Sequence, residues 1–194
     1  MKRVLFILGV LEDDDVDWLV AAGKRLALPE GEVLIQEGQP TDAIYLLLDG
    51  TLHVTVAALK EQVMAELFSG EVVGEMSFVD TQPPSATVAA AQPSVVLAIP
   101  ASALQQKLST DPAFASRFYK ALAILLSSRL RSTVKHLEGE HWRPIAIAQE
   151  AVLDELADVI SVGGIRFDWM LRRLRDLQAD PWSELEPNRG GNSG

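Results

Sequence analysis

Apolar and polar positions change period twice along this chain. Between residues 4 and 25, Val16, Leu19, Val20 and Ala22 recur at helical spacing, and Asp13–Asp15 suit a helix N-terminus. Short helices are predicted there. From Leu26 the pattern becomes a series of short apolar runs. They are broken by Pro29-Glu30-Gly31, Glu37-Gly38, Asp49-Gly50 and Ser69-Gly70. In Thr51–Leu59, Leu52, Val54 and Val56 alternate with polar neighbours as in a half-buried strand. Ala86–Pro100 gives two more strands across a turn at Gln92-Pro93. Runs and turns in this rhythm predict a mainly β domain with flanking helices, a jelly-roll-like β-roll of about eight strands.

The helical period returns near Ala101. A long helix is predicted to start with Asp111 as its cap and Pro112 at its first position, where each residue type is favoured. Along it Tyr119, Leu122, Leu126, Leu130, Val134 and Leu137 form one apolar stripe, spaced 3, 4, 4, 4 and 3. That stripe must be buried, against the roll or against a second copy of itself. Residues 141–178 read as further helix, and the Pro/Gly/Ser-rich end as a mobile tail. The expected division is a first domain over 1–138 including the long helix, a helical extension over 139–178 and a tail over 179–194.

Composition narrows the function. With 194 residues, 48% of them hydrophobic and 23% charged, the chain is long enough and apolar enough for a real core. A net charge of −10 argues against a nucleic-acid or anionic-membrane binder, which carries a basic footprint. The absence of cysteine excludes disulfides and thiolate sites. Lys2 and Arg3 before an apolar run faintly resemble a signal peptide, but Glu12–Asp15 follow at once with no small-residue cleavage site. No apolar run reaches the ~18 residues that span a bilayer, so a cytoplasmic protein is expected. His53, His136 and His141 are scattered, and the last two, five apart, share no helical face, so no metal site is expected. No nucleophile elbow, nucleotide-binding Gly-Lys-Ser/Thr loop or paired-carboxylate signature stands out, and no enzyme is expected.

The stretch Gly74–Val88, GEMSFVDTQPPSATV, carries the candidate chemistry. Its glycine lets backbone approach a ligand, and its turn can expose N–H groups to an anion. Together with Gly31-Glu32-Val33-Leu34-Ile35, Glu37-Gly38, Ile44-Tyr45-Leu46 running to Gly50, and Gly70, it resembles the cyclic nucleotide-binding domain family, over roughly residues 5–137. The resemblance implies that Gly74, Glu75, Met76, Ser77, Pro84, Ser85, Ala86 and Thr87 line the ligand site. It gives Glu75 the ribose hydroxyl and Ser85 the phosphate. It implies cyclic AMP or cyclic GMP as ligand, no other cofactor, and a homodimer through Tyr119, Leu122, Leu126, Leu130 and Val134. One departure stands out: Pro84 occupies the position of the family's phosphate-binding arginine. Proline offers neither charge nor donor. Loss of the partner of a buried charge costs about 3–5 kcal/mol, on the order of a hundred- to a few-thousand-fold in affinity. The pocket therefore binds nothing, binds another small molecule, or recruits a different cation. Arg129, Arg131, Lys135 and an arginine of the C-terminal segment are the cations available.

Residues 155–177 have the outline of a helix-turn-helix. Leu156, Val159 and Ile160 would line one helix, Gly163-Gly164 the turn, and Phe167, Met170, Leu171 and Leu174 the other. Arg166, Arg172, Arg173 and Arg175 add local positive charge. The short gap from Leu137 to Glu155 and the overall acidity weigh against DNA. An αα-hairpin docked by its apolar stripe is the favoured reading. A helix lying on a membrane is the weakest of the three. The function expected is a regulatory sensor with a weakened or altered pocket. A transcription regulator of the same superfamily and a ligand-free dimerisation scaffold are the alternatives.

Overall fold

The computed structural model describes residues 4–59, 62–137 and 149–176, with side chains at 7–59, 62–131 and 157–175. Helices α1 (Val4–Val10) and α2 (Asp13–Ala22) come first. Eight strands follow among the described residues: β1 (Lys24–Leu28), β2 (Val33–Ile35), β3 (Ala43–Asp49), β4 (Thr51–Thr55), β5 (Val63–Phe68), β6 (Val72–Val73), β7 (Thr87–Ala90) and β8 (Ser94–Pro100). Helix α3 (Glu75–Asp80) interrupts them between β6 and β7, and α4 (Ala101–Thr110), α5 (Pro112–Leu137) and α6 (Gln149–Asp176) close the order.

The strands form two antiparallel sheets, ordered β1-β8-β3-β6 and β2-β7-β4-β5. This is the expected roll. Side-chain alternation explains its two cores. Ala43, Tyr45 and Leu47 of β3 point into the roll with Val96 and Ala98 of β8, where they meet Leu52, Leu67 and Val88 of the second sheet. Ile44, Leu46, Leu48, Leu97 and Ile99 point the other way, against the helices. A strand covered on both faces needs apolar residues at every position, so Ala43–Leu48 is one unbroken buried run. The second sheet is covered on one face, and β5 keeps Met64 and Phe68 exposed. Gly50 makes the β3–β4 turn at φ 97°, and a Cβ there would stand 2.2 Å from the Ser94 hydroxyl.

Helix α5 begins as predicted. The Asp111 carboxylate accepts the Phe114 N–H at 2.9 Å and pairs with Lys107 at 2.8 Å. Its apolar stripe, however, divides. The face against the roll and the first helices carries Phe114, Phe118, Ala121, Leu122 and Leu125. Tyr119, at 52% exposure, and Leu130, at 66%, lie open on another face, and Leu126 is half-buried between them. Spacings of three and four drift around a helix, so residues on one nominal line separate onto two faces. The Val134 side chain lies outside the described residues.

The helix-turn-helix reading fails. Helix α6 runs unbroken through Gly163-Gly164. A glycine inside a helix costs about 1 kcal/mol against alanine but does not end it. Packing supplies the compensation. Phe167, Met170 and Leu174 are buried in the helix-side core, with α6 packed against α1 and α2. A Cβ on Gly9 of α1 would lie 2.0 Å from the Val159 carbonyl oxygen, so these helices touch backbone to backbone. The expected docking of an apolar stripe stands, carried by one helix and not by a hairpin. Two of the arginines read as candidate DNA contacts are engaged. Arg166 bonds Asp13 at 2.7 Å and the Leu8 and Leu11 carbonyls at the end of α1. Arg173 pairs with Asp17 at 3.4 Å and lies over Trp169. Among the described residues no helix is long and apolar enough to cross a membrane.

Candidate functional site

Strand β6 delivers the chain to Gly74, which caps α3 in the left-handed region at φ 86°. A Cβ at this position would stand 2.8 Å from the Ala43 carbonyl oxygen, so both conformation and space require glycine. Glu75 is thereby turned inward and is 1% exposed. Helix α3 ends at Thr81, also left-handed at φ 58°, and the Asp80 carboxylate accepts the Gln82 N–H at 2.9 Å. Residues 82–86 then lead into β7. The Pro84 carbonyl accepts the Gly38 N–H at 2.8 Å, which ties this loop to the β2–β3 turn.

A cavity of about 340 Å³ lies between α3, the 82–86 loop and the open end of the roll. Of the eight expected site residues, Gly74, Glu75, Met76, Ser77, Pro84, Ser85 and Ala86 line it. Thr87 stands outside the lining; its hydroxyl accepts the Gln36 side-chain amide and the Glu37 N–H, each at 3.1 Å. The walls are Ile35, Val54, Leu67, Val73 and Val88, the inward positions of the second sheet and β6, with Pro83 beside Pro84. Reasoning on motifs missed these walls and Asp80. The signal that marks the walls is the two-residue alternation of their strands.

Of the cations that the sequence offers, Arg129 lines the cavity. From α5 it donates through Nη1 to Glu75 and through Nη2 to the Val72 carbonyl, with the Glu71 carboxylate 3.9 Å away. Arg131 is exposed, and the Lys135 side chain lies outside the described residues. The carboxylate expected to take a ligand hydroxyl is thus held by the long helix. Among the described residues no cluster of metal-binding side chains occurs, and His53 pairs with Glu66 across the β4–β5 ladder at 3.3 Å. His136 and His141 lie where no side chain is described.

A second set of contacts fixes α5 at its start. Arg117 bonds Asp15 through Nε at 2.6 Å and through Nη2 at 2.9 Å. Burial pushes the Asp15 carboxyl upward; the Arg117 hydrogen bonds and charge and the Glu12 N–H outweigh it and hold the group below the ordinary range. Asp111 is lowered by its hydrogen bonds from Lys107 and from the Phe114 N–H.

The family profile of the cyclic nucleotide-binding domain matches residues 25–111. A cyclic nucleotide-binding domain from Methylobacillus flagellatus superposes with a TM-score of 0.64 at 25% identity, covering 74% of this chain and 85% of that one. An uncharacterized NTE family protein of Mycobacterium tuberculosis is 28% identical over 120 residues, 62% of this chain and 20% of its own length. The cyclic AMP receptor protein of Thermus thermophilus is 28% identical over 130 residues, 66% of this chain and 58% of its own. The chain therefore spans about a fifth of the mycobacterial relative and somewhat over half of the receptor protein.

Proposed function

The chain belongs to the cyclic nucleotide-binding domain family through residues 25–111, and on that premise we propose a non-enzymatic regulatory module whose cavity is read out by α5. The observation that carries this reading is the contact of Arg129 with Glu75. A helix that leaves the domain is bonded to the most buried polar group of the cavity. Anything that binds Glu75 competes with Arg129, and α5 shifts when it loses. Pro84 supplies no cation where the family resemblance calls for one, so cyclic AMP and cyclic GMP bind weakly. Tyr119, Ala123, Leu126 and Leu130, spaced 4, 3 and 4, form the seam of a homodimer, with Val134 next in the line.

Thermal unfolding tests the reading, on the natural chain and on Pro84→Arg. The natural chain responds to cyclic AMP or cyclic GMP only at millimolar concentration. Pro84→Arg responds at concentrations lower by about a hundredfold or more, since a guanidinium restores the partner of the buried phosphate. Equal response of both proteins at micromolar ligand sinks the assignment of Pro84. No response from either removes cyclic nucleotides as the ligand.

A further inference from the structure

The charge inventory of the cavity points away from an anion altogether. Its ionisable lining consists of Glu75, Asp80 and Arg129 among the described residues, two carboxylates against one guanidinium. Arg129 is already bonded to Glu75 and to the Val72 carbonyl, with Glu71 nearby. A phosphodiester that takes the Nη1 donor competes with Glu75, a carboxylate that is 1% exposed. Stranding a buried carboxylate costs on the order of a hundredfold or more in affinity. Prolines 83 and 84 offer no N–H donor in the loop facing the space.

What remains suits a different guest. The walls are valine, leucine, isoleucine, alanine and proline, and Met76 stands exposed at the edge. The polar groups not held by Arg129 are the Asp80 carboxylate, the Ser77 and Ser85 hydroxyls and the Gln82 amide, and three of these four can accept without carrying a charge. The volume of about 340 Å³ lies within the range of small-molecule sites. We infer that the cavity takes a largely apolar molecule bearing a hydroxyl or amine donor and no negative charge, with the donor directed to the Asp80–Ser85 rim. This rests on the reading of the cavity as the module's ligand site and names the ligand class.

A matched set isolates charge from shape: 1-naphthylmethanol, 1-naphthylmethylamine and 1-naphthoate, titrated into the full chain with thermal unfolding and naphthyl fluorescence as readouts. Ala86→Phe, which fills the cavity from one wall, locates the binding. The alcohol and the amine should stabilise the natural chain, with the carboxylate weaker by about tenfold or more. Ala86→Phe should abolish the response while unfolding cooperatively without ligand. The inference is overturned if the carboxylate binds as well as the alcohol, if none of the three binds at millimolar concentration, or if Ala86→Phe binds all three unchanged. Its failure is distinguishable from failure of the sensor reading. A gain of cyclic nucleotide binding in Pro84→Arg with no alcohol binding keeps the sensor and removes this ligand class. The reverse pattern keeps the ligand class and removes the role of Pro84.

Discussion

The two halves of α5 live in different surroundings. Up to Leu125 the helix is walled in: Phe114 stacks on Phe118, Trp18 meets Phe114 edge-on, and Arg117 is clamped to Asp15. Beyond Leu125 the described side chains are half-buried or exposed, and Arg129 joins this stretch to the cavity. The first half is fixed by apolar contact and by the Arg117–Asp15 pair, neither of which lines the cavity. The second is held by a polar contact, which a ligand can replace. A helix rooted at one end and latched at the other can move at the latch without unfolding at the root.

The largest effect expected from breaking this contrast comes from the root. Phe114 is fully buried between Trp18, Phe118 and the Lys107 side chain. Phe114→Ala should lower stability by about 3–5 kcal/mol, with little repacking available to fill the space. Urea unfolding checks it. A loss below about 1 kcal/mol would mean that the root is loose and that the two halves do not differ.

The next effect is electrostatic and depends on pH. Arg117→Met leaves Asp15, 3% exposed, with only the Glu12 N–H, and should lower the urea midpoint at neutral pH, by less than Phe114→Ala because Arg117 reaches solvent. The sign follows from the lowered Asp15 carboxyl. A group depressed in the folded state binds fewer protons there than in the unfolded chain. Its contribution is complete above the ordinary value of 3.8 and disappears as pH falls through the lower folded value. Asp111 acts in the same sense. The natural chain therefore loses stability below about pH 4, and Arg117→Met should lose less over the same interval. Parallel acid titrations of the two proteins would contradict the pairing.

Why some of this was legible in sequence and some was not follows from the range of the interactions. The Asp111-Pro112 start, the turn glycines and the unbroken apolar run of β3 are local, and each declares itself within a few residues. The cavity residues 74–77 and 84–86 are nearly contiguous, so a motif found them together. The Arg117–Asp15 pair joins residues 102 apart, and Arg166 caps α1 from 155 residues away, at Leu11. No periodicity encodes such partners. Gly163-Gly164 misled for a related reason. The local cost of glycine in a helix is small, and tertiary packing of Phe167 and Met170 overrides it. The division of the α5 stripe was hidden because Tyr119 and Leu122 look equivalent in a list of apolar positions and differ only in what covers them.

The smallest change in stability, and the sharpest test of the second half of α5, is Leu130→Glu. Leu130 is 66% exposed in the single chain, so the substitution should alter its folding stability by less than about 0.5 kcal/mol. In the proposed dimer the same side chain faces its own copy at the seam, where two glutamates would be brought together and lose water. Light scattering across tens of micromolar should then show the natural chain as a dimer and the variant shifted to monomer, with unchanged circular dichroism. A natural chain that is already monomeric removes the seam. A variant that stays dimeric moves the contact to another face, and the exposed stripe of Val162, Ile165 and Trp169 on α6 is the next apolar line the fold leaves open. In either of those cases motion at Arg129 is signalled within one chain. In the expected case two latches face each other across the seam, and displacement of one α5 changes the packing that its partner meets.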